Sequence, residues 1–265
     1  MSSDKTKLTN EIRSFAKKYS SWVNTGADLI GFVSVNKVNE IEPYWVDYNQ
    51  ANTKQPSEIL SSAKSVILLG YHAWDDMVEA LSRKGNKLEA YGYERMFYNA
   101  EKVVTLLENK GFKAKLASGL PMKQIARLAG VGSYGKNSLN INPRYGPWVR
   151  LHAVITDAEL DYSEEFTEDL CEDCDLCVRA CPTGALIPYV IDHNLCMASL
   201  QNDEWLGIHS GKYTFEDYRP VENGNFLFRM HSPKLTENTY LLCTTCQRAC
   251  PYGREERGLP PLSDS

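Results

Sequence analysis

Eight cysteines constrain this chain of 265 residues more than any other feature of its sequence. All of them lie in the C-terminal part of the chain, at positions 171, 174, 177, 181, 196, 243, 246 and 250. The N-terminus has no apolar signal segment and no twin arginine, so the sequence predicts a cytoplasmic protein. Because cytoplasmic thiols are kept reduced, eight cysteines there indicate metal binding more than disulfides.

The first four cysteines have the spacing Cys171-x2-Cys174-x2-Cys177-x3-Cys181-Pro182. In bacterial ferredoxins this spacing binds a 4Fe-4S cluster. The first three thiolates lie on one tight turn and can reach different irons, whereas a single zinc ion would leave the third unused. The fourth cysteine follows the turn and serves the neighbouring cluster. The run predicts iron-sulfur clusters; two four-cysteine zinc sites and a disulfide framework are the alternatives.

The remaining cysteines form a second set with one displaced member. Cys196 is followed by an insertion at about 197–242, after which the set continues as Cys243-x2-Cys246-x3-Cys250-Pro251. Crossing the ligands as ferredoxins do gives two complete sets of four. The predicted ligands are Cys171, Cys174, Cys177 and Cys250 for cluster 1, and Cys181, Cys196, Cys243 and Cys246 for cluster 2.

The part of the chain before the cysteines alternates between helix and strand patterns. Apolar residues repeat with helical period over Leu8 to Tyr19 and over Glu94 to Asn109. Short β-branched runs at 29–35 and 65–69 are typical of buried strands. We therefore expect a mixed fold, α/β or α+β with α+β preferred, with one domain at residues 1–160 and a ferredoxin-like dicluster domain at residues 161–265.

Charge is distributed unevenly along the chain. The formal net charge is −5, yet the segment from Asp157 to Cys177 holds ten acids and no lysine or arginine. Removing those ten of 34 acids leaves 24 against 29 bases, a remainder of about +5. The acidic segment is either a solvated linker or a docking face for a basic redox partner. Basic residues form no dense cluster beyond Lys17-Lys18 and Arg254–Arg257, which is too little to predict tRNA binding from charge.

The segment from Ile125 to Leu139 is the most distinctive part of the N-terminal region. Gly130, Gly132 and Gly135 fall within six positions, which lets the backbone approach a ligand closely. The segment is neither a GxGxxG motif after a strand nor a Walker loop, so it does not indicate nucleotide binding. The longest apolar run, around Val66 to Leu69, is too short to cross a membrane.

Taken with the cysteines, this segment resembles the epoxyqueuosine reductase family. That family carries an Ala-x-x-Ala-Gly-Leu-Gly-x-x-Gly-Lys-x-Ser/Thr-Leu segment, then a Gly-Ser-Trp motif, and then the same eight-cysteine pattern. The matching residues are Ala126, Ala129, Gly130, Gly132, Gly135, Lys136, Ser138, Leu139 and Gly146-Pro147-Trp148. The resemblance covers about Tyr91 to Pro251.

The resemblance, which extends to reductive dehalogenases, implies a nitroreductase-like domain that binds cobalamin and two clusters that reduce its cobalt to Co(I). The cobalamin-binding residues that it implies are Gly130, Gly132, Tyr134, Gly135, Lys136, Asn137 and Ser138. The family prototype reduces the epoxide of a modified tRNA base, so tRNA is an implied partner. Other expected partners are an electron donor of the ferredoxin or flavodoxin type and a corrinoid protein.

Two departures from the family change the expected chemistry. Arg95-Met96-Phe97-Tyr98 stands where the family has Arg-Asp-Tyr-His, and methionine cannot donate the proton proposed for that aspartate. Tyr98 is therefore the predicted donor, and the alternative is that it is a core or rim tyrosine without a catalytic role. The chain also ends before the family's C-terminal helical repeats. We expect a cobalamin-dependent reductase of a small molecule, a modified nucleoside or a partner's corrinoid. A noncatalytic dicluster electron-transfer protein and a flavin enzyme are the alternatives.

Overall fold

A computed structural model describes most of the chain, and the account below is confined to the residues that it describes. These are residues 4–18, 26–42, 45–46, 51–84, 87–192, 195–198 and 230–262. Most of the predicted insertion, residues 199–229, and the end of the first predicted helix at Tyr19 therefore lie outside the described residues.

Helices and strands alternate along the described chain. The helices are α1 (Asp4–Ala16), α2 (Val35–Asn39), α3 (Pro56–Ile59), α4 (Tyr91–Asn109), α5 (Met122–Leu128), α6 (Leu176–Ala180) and α7 (Thr245–Arg248), with 3-10 turns at Asp76–Glu79 and Glu255–Arg257. The strands are β1 (Leu29–Ser34), β2 (Trp45–Val46), β3 (Ala51–Asn52), β4 (Ser65–His72), β5 (Ala80–Lys84), β6 (Lys87–Glu89), β7 (Ala114–Ala117), β8 (Ser133–Tyr134), β9 (Asn140–Ile141), β10 (Val149–Thr156), β11 (Leu186–Ile187), β12 (Val190–Ile191), β13 (Lys234–Thr236) and β14 (Thr239–Leu241).

The chain divides into two compact units, each assembled from three segments. The first unit takes Met1–His72, Glu94–Tyr134 and Val149–Glu168, and the second takes Ala73–Tyr93, Gly135–Trp148 and Asp169–Ser265. All eight cysteines belong to the second unit. The division at residues 160 and 161 describes domains that are continuous in sequence, and it stays a prediction.

The first unit is built on a four-stranded sheet of order β1-β4-β10-β7, in which each neighbouring pair is antiparallel. The apolar run of β4 is buried on both faces, so Ile67 and Leu68 are 0% exposed. Leu68 belongs to the core that includes α5, whereas the opposite face contacts α1 and α4. Burial on two faces explains why this strand reads as a continuous apolar run rather than an alternating one.

The second unit has its own antiparallel sheet, of order β13-β14-β5-β6. Across this sheet the hydroxyls of Ser82 and Thr239 lie 2.6 Å apart. The two short cysteine-bearing helices, α6 and α7, pack against each other. Helices beside antiparallel sheets confirm the predicted α+β class. Among the described helices, none is both long and apolar enough to span a membrane.

Candidate functional site

The first cysteine run lies on a tight loop that leads into α6. Cys174 donates its N–H to the carbonyl of Cys171 at 2.7 Å, and Glu172 between them has a φ of 36°. Cys177 lies within α6, and Cys181 caps its C-terminus. The first two cysteines therefore share a tight turn, as the sequence predicts, whereas the third lies on the helix that follows it.

The second cysteine run repeats this arrangement around α7. Cys243 precedes the helix, Cys246 lies within it, and Cys250 follows its C-cap at Ala249. Cys196 reaches the site from a different segment, after β12, and its N–H is donated to the carbonyl of Asp192 at 3.1 Å.

Electrostatic interactions show which thiols lie near one another. Cys250 interacts with Cys171, Cys177 and Cys174. Cys177 in turn interacts with Cys171 and Cys174. The last cysteine of the second run thus joins the first three of the first run, as the crossed assignment requires.

The other four cysteines form a second group. Cys246 interacts with Cys196, Cys243 and Cys181, and more weakly with Cys177 of the first group. Cys243 also interacts with Cys181. The eight thiols are therefore grouped four and four, with Cys177 and Cys246 where the groups meet, and their assignment as cluster ligands stays a prediction.

Burial disfavours the charged form of these thiols. It raises the pKa of Cys250 to about 12 and raises the pKa values of Cys243 and Cys246 as well. All eight cysteines are free thiols. A metal ligand must be a thiolate, so binding a cluster here would release protons and offset the cost of several buried negative charges at once.

No group of three or more His, Cys, Asp or Glu side chains in the described part of the chain is arranged to hold a single metal ion. The thiolates of a 4Fe-4S cluster bind four different irons at separate corners. They are therefore spread more widely than the ligands of one ion, and the grouping of the thiols fits a cluster.

Lys136, a predicted cobalamin-binding residue, lies against the first cysteine loop. Its N–H is donated to Sγ of Cys171 at 3.4 Å, and its ammonium group donates to the carbonyl of Glu172. Its carbonyl accepts the N–H of Tyr189 at 3.2 Å, and the Tyr189 hydroxyl donates to Asp169 at 2.7 Å. Hydrogen bonds to ligand sulfur tune cluster potentials. The loop therefore contacts a predicted ligand of cluster 1 in a way that would affect the potential of that cluster.

The next two residues of this loop keep polar groups without partners. Asn137 and Ser138 are 3% and 2% exposed, and neither Nδ2 of Asn137 nor Oγ of Ser138 has a hydrogen-bond partner among the described atoms. Ser138 has a φ of 57°, a conformation that is uncommon outside glycine. Buried polar groups are normally paired, so the two side chains fit a ligand that carries amide groups, as a corrinoid does.

The glycines of the segment have identifiable steric reasons. A Cβ on Gly130 (φ 72°) would lie 2.6 Å from the carbonyl oxygen of Glu164, and one on Gly135 would lie 2.5 Å from Ile141. Gly132 is buried and Tyr134 half-buried. Close packing within each unit therefore accounts for Gly130 and Gly135, and the cobalamin contacts of these four residues stay a prediction.

Tyr98 lies on the surface of α4. Its side chain is 55% exposed, and the ammonium group of Lys102 lies 4.3 Å from its ring centroid. Met96, at the position of the family aspartate, is buried at 3% exposure. The structure places Tyr98 on the surface, and its role as proton donor stays a prediction.

The acidic segment is held against the first unit along its N-terminal half. Ser163 and Phe32 exchange hydrogen bonds at 2.8 and 3.0 Å, which ties the segment to β1. Three acids of this half form ion pairs: Glu159 with Lys64, Asp161 with Lys5, and Glu165 with Arg127. This part of the segment is therefore packed against the rest of the first unit and is not a solvated linker.

Trp148 is the core residue that sequence reasoning favoured, but its contacts with the C-terminal residues were not anticipated from the sequence. Trp148 is 0% exposed, and the Arg257 guanidinium lies 4.1 Å from its ring centroid. Arg257 also donates to the carbonyl of Ala73 and pairs with Asp76. The tryptophan of the Gly-Pro-Trp motif is thus a core residue whose ring face is covered by arginine.

Comparison with known proteins supports the features read from the sequence. Residues 164–187 match the 4Fe-4S binding domain family. Epoxyqueuosine reductase from Listeria monocytogenes is 36% identical over 132 residues, covering 49% of this chain and 29% of that protein. The enzyme of the same name from Leadbetterella byssophila is 28% identical over 91% of this chain and 80% of its own length. The Bacillus anthracis enzyme is 26% identical, and the chain spans 62% of it.

Solved structures show the same fold. The epoxyqueuosine reductase of Bacillus subtilis superposes with a TM-score of 0.65 at 20% identity, over 94% of this chain and 66% of that one. A reductive dehalogenase described as B12-dependent superposes with a TM-score of 0.58 at 15% identity, over 97% of this chain and 34% of that one. The chain is thus similar to epoxyqueuosine reductases and shares a fold with them and with reductive dehalogenases, as the sequence predicts.

Proposed function

We propose that this protein is a cytoplasmic corrinoid-dependent reductase in which two 4Fe-4S clusters deliver electrons to a bound cobalamin. The observation that carries the proposal is the collection of eight thiols into two adjacent sets of four. Relatives named epoxyqueuosine reductase support the reaction class. The electrons would come from a low-potential donor of the ferredoxin or flavodoxin type.

The residues of this chain have separate tasks in the proposed reaction. Cys171, Cys174, Cys177 and Cys250 would hold cluster 1, and Cys181, Cys196, Cys243 and Cys246 would hold cluster 2. Asn137 and Ser138 would hydrogen-bond the corrinoid through their unpartnered polar groups. When bound, the corrinoid supplies a cobalt centre that can be reduced to Co(I). The hydroxyl of Tyr98, a surface residue, would donate a proton to the substrate.

One solved structure of similar fold argues for a tRNA substrate, and one residue of this chain argues against it. An epoxyqueuosine reductase of similar fold was solved with an epoxyqueuosine-modified tRNA stem loop. In this chain, however, Met96 is buried and cannot replace an acidic proton donor. We therefore propose a reductase whose donor differs from that of the tRNA enzymes, acting on a small molecule, a modified nucleoside or the corrinoid of a partner protein.

Metal and corrin content test the proposal directly. After anaerobic purification with added cobalamin, we expect about eight irons per chain and about one cobalt, because two cubane clusters and one corrinoid would be bound. Iron without retained corrin would favour a noncatalytic electron-transfer protein, and retained flavin would favour a flavin enzyme. Zinc in place of iron would contradict both cluster proposals.

Serine substitutions test the crossed ligand sets. Cys174→Ser and Cys250→Ser should each remove about four irons, and the double variant should lose no more, because both residues serve cluster 1. The double variant of Cys174→Ser with Cys181→Ser should lose nearly all iron, because it damages both clusters. Iron analysis of anaerobically purified variants measures this. If instead the iron losses of Cys174→Ser and Cys250→Ser add in the double variant, the two residues serve different clusters and the ligands are not crossed.

A further inference from the structure

A short hydrogen-bonded chain leads from a histidine to a predicted ligand of cluster 2. Nδ1 of His231 lies 2.8 Å from Oγ1 of Thr245, and the same hydroxyl lies 3.5 Å from Sγ of Cys243. All three residues belong to the second unit. His231 also lines a cavity of about 270 Å³ with Asp76 and Arg248.

The Thr245 hydroxyl has one proton, so it can donate to only one of its two neighbours. A cysteine that binds iron is a thiolate and can only accept a hydrogen bond. If Nδ1 of His231 also accepts, the imidazole and the sulfur compete for the hydroxyl proton. If Nδ1 carries a hydrogen, the imidazole donates to Oγ1, and the hydroxyl proton is free for Sγ of Cys243.

We propose that His231 is a positioning residue for cluster 2, which donates from Nδ1 to Thr245 and thereby directs the Thr245 hydroxyl to Sγ of Cys243. Resting on the proposed function, this inference adds a residue that sets the potential of one cluster. Hydrogen bonds to ligand sulfur stabilise the more negative, reduced cluster and so raise its reduction potential. His231 therefore makes cluster 2 easier to reduce.

The test is a reductive titration of the anaerobic holoprotein followed by electron paramagnetic resonance. We expect His231→Phe, which keeps an aromatic ring but has no donor, to disfavour one-electron reduction of one cluster about tenfold, or by about 59 mV. His231→Asn should restore most of this shift, because its amide carries a donor near the position of Nδ1. An unchanged or raised potential in His231→Phe would overturn the proposal.

Double variants show whether the histidine acts through the hydroxyl. Thr245→Val should lower the same potential, and adding His231→Phe to it should produce no further shift. Thr183 supplies the matched control, since its hydroxyl lies 3.7 Å from Sγ of Cys181, another predicted ligand of cluster 2. The shifts of Thr183→Val and His231→Phe should add. If they add in Thr245→Val as well, His231 does not act through Thr245.

The outcomes separate this inference from the proposed function. A wild-type protein that binds no second cluster gives no second reduction step, which contradicts the proposed function itself. A wild-type protein with two clusters and a His231→Phe variant of unchanged potential contradicts only the role of His231. If His231→Phe loses iron, the Thr245→Val and His231→Asn variants still test the role of His231. Thr245→Val keeps the imidazole, and His231→Asn keeps a donor to the Thr245 hydroxyl.

Discussion

Gly253→Ala should destabilise the second unit by about 3 kcal/mol and release iron from cluster 1. Gly253 has a φ of 76°, and a Cβ there would lie 2.2 Å from the carbonyl oxygen of Tyr145. An alanine therefore suffers both a left-handed backbone and an overlap with a backbone atom that has no room to move. Since Cys250 lies three residues earlier, the displaced loop would carry a predicted cluster ligand away from its partners.

Gly258→Ala is the matched control for this prediction. Gly258 also has a positive φ, 60°, but a Cβ there would meet nothing within 4 Å. We expect this variant to cost only about 1 kcal/mol and to keep its iron, because it has the backbone strain without the overlap. Urea unfolding and iron content of the anaerobic proteins measure both effects. Equal losses in the two variants would show that the contact with Tyr145 does not require the glycine.

A second glycine, Gly146, lies on the other backbone segment of the same contact. A Cβ on Gly146 would lie 2.1 Å from the carbonyl oxygen of Tyr252. The two glycines thus let two backbone segments touch, one beside the Gly-Pro-Trp motif and one after the last cysteine. This explains physically why a glycine precedes Pro147, whatever else the motif does.

Local patterns in the sequence predicted the helices and strands at the centre of the first unit. The apolar period over Glu94 to Asn109 lies within α4, and Gly111 follows the helix with a φ of 85°. The run at 65–69 lies within β4. These predictions succeed because each depends on neighbours within a few residues, where side-chain periodicity and backbone preference act directly.

Contacts between distant residues explain what the sequence did not show. Lys136 donates to Cys171 across 35 positions, and Gly146 approaches Tyr252 across more than a hundred. No local pattern marks such pairs, because they depend on how the segments pack. The grouping of the cysteines could be predicted because cluster chemistry itself restricts which thiols can share a set.

His152 is a buried titratable group that no motif or pattern in the sequence singles out. It lies on β10, is 5% exposed, and packs edge-on against Phe97 with ring centroids 4.8 Å apart. Its Nδ1 accepts the N–H of Ala153 at 2.9 Å, and its Nε2 has no partner among the described atoms. Burial lowers the pKa of His152 from 6.5 to about 4, because the charged imidazolium is poorly solvated there.

This lowered pKa makes stability depend on pH between about 6.5 and 4. Above pH 6.5 the imidazole is neutral in both folded and unfolded chains, and its pKa shift costs nothing. As the pH falls below 6.5, the unfolded chain binds a proton that the folded chain refuses until about pH 4. The free energy of unfolding therefore falls with the pH across this window, by about 3 kcal/mol in total.

Replacing the imidazole should remove that part of the pH dependence. Between pH 7 and pH 5, we expect wild-type protein to lose about 2 kcal/mol more stability than His152→Leu. Urea unfolding under anaerobic conditions measures the difference, and acid effects on the clusters cancel because both proteins carry them. Tyr98→Phe, on the exposed face of the neighbouring helix, should keep the wild-type slope. Parallel curves for wild type and His152→Leu would mean that the imidazole is protonated or solvated in the folded sheet, and that its unpartnered Nε2 has access to water.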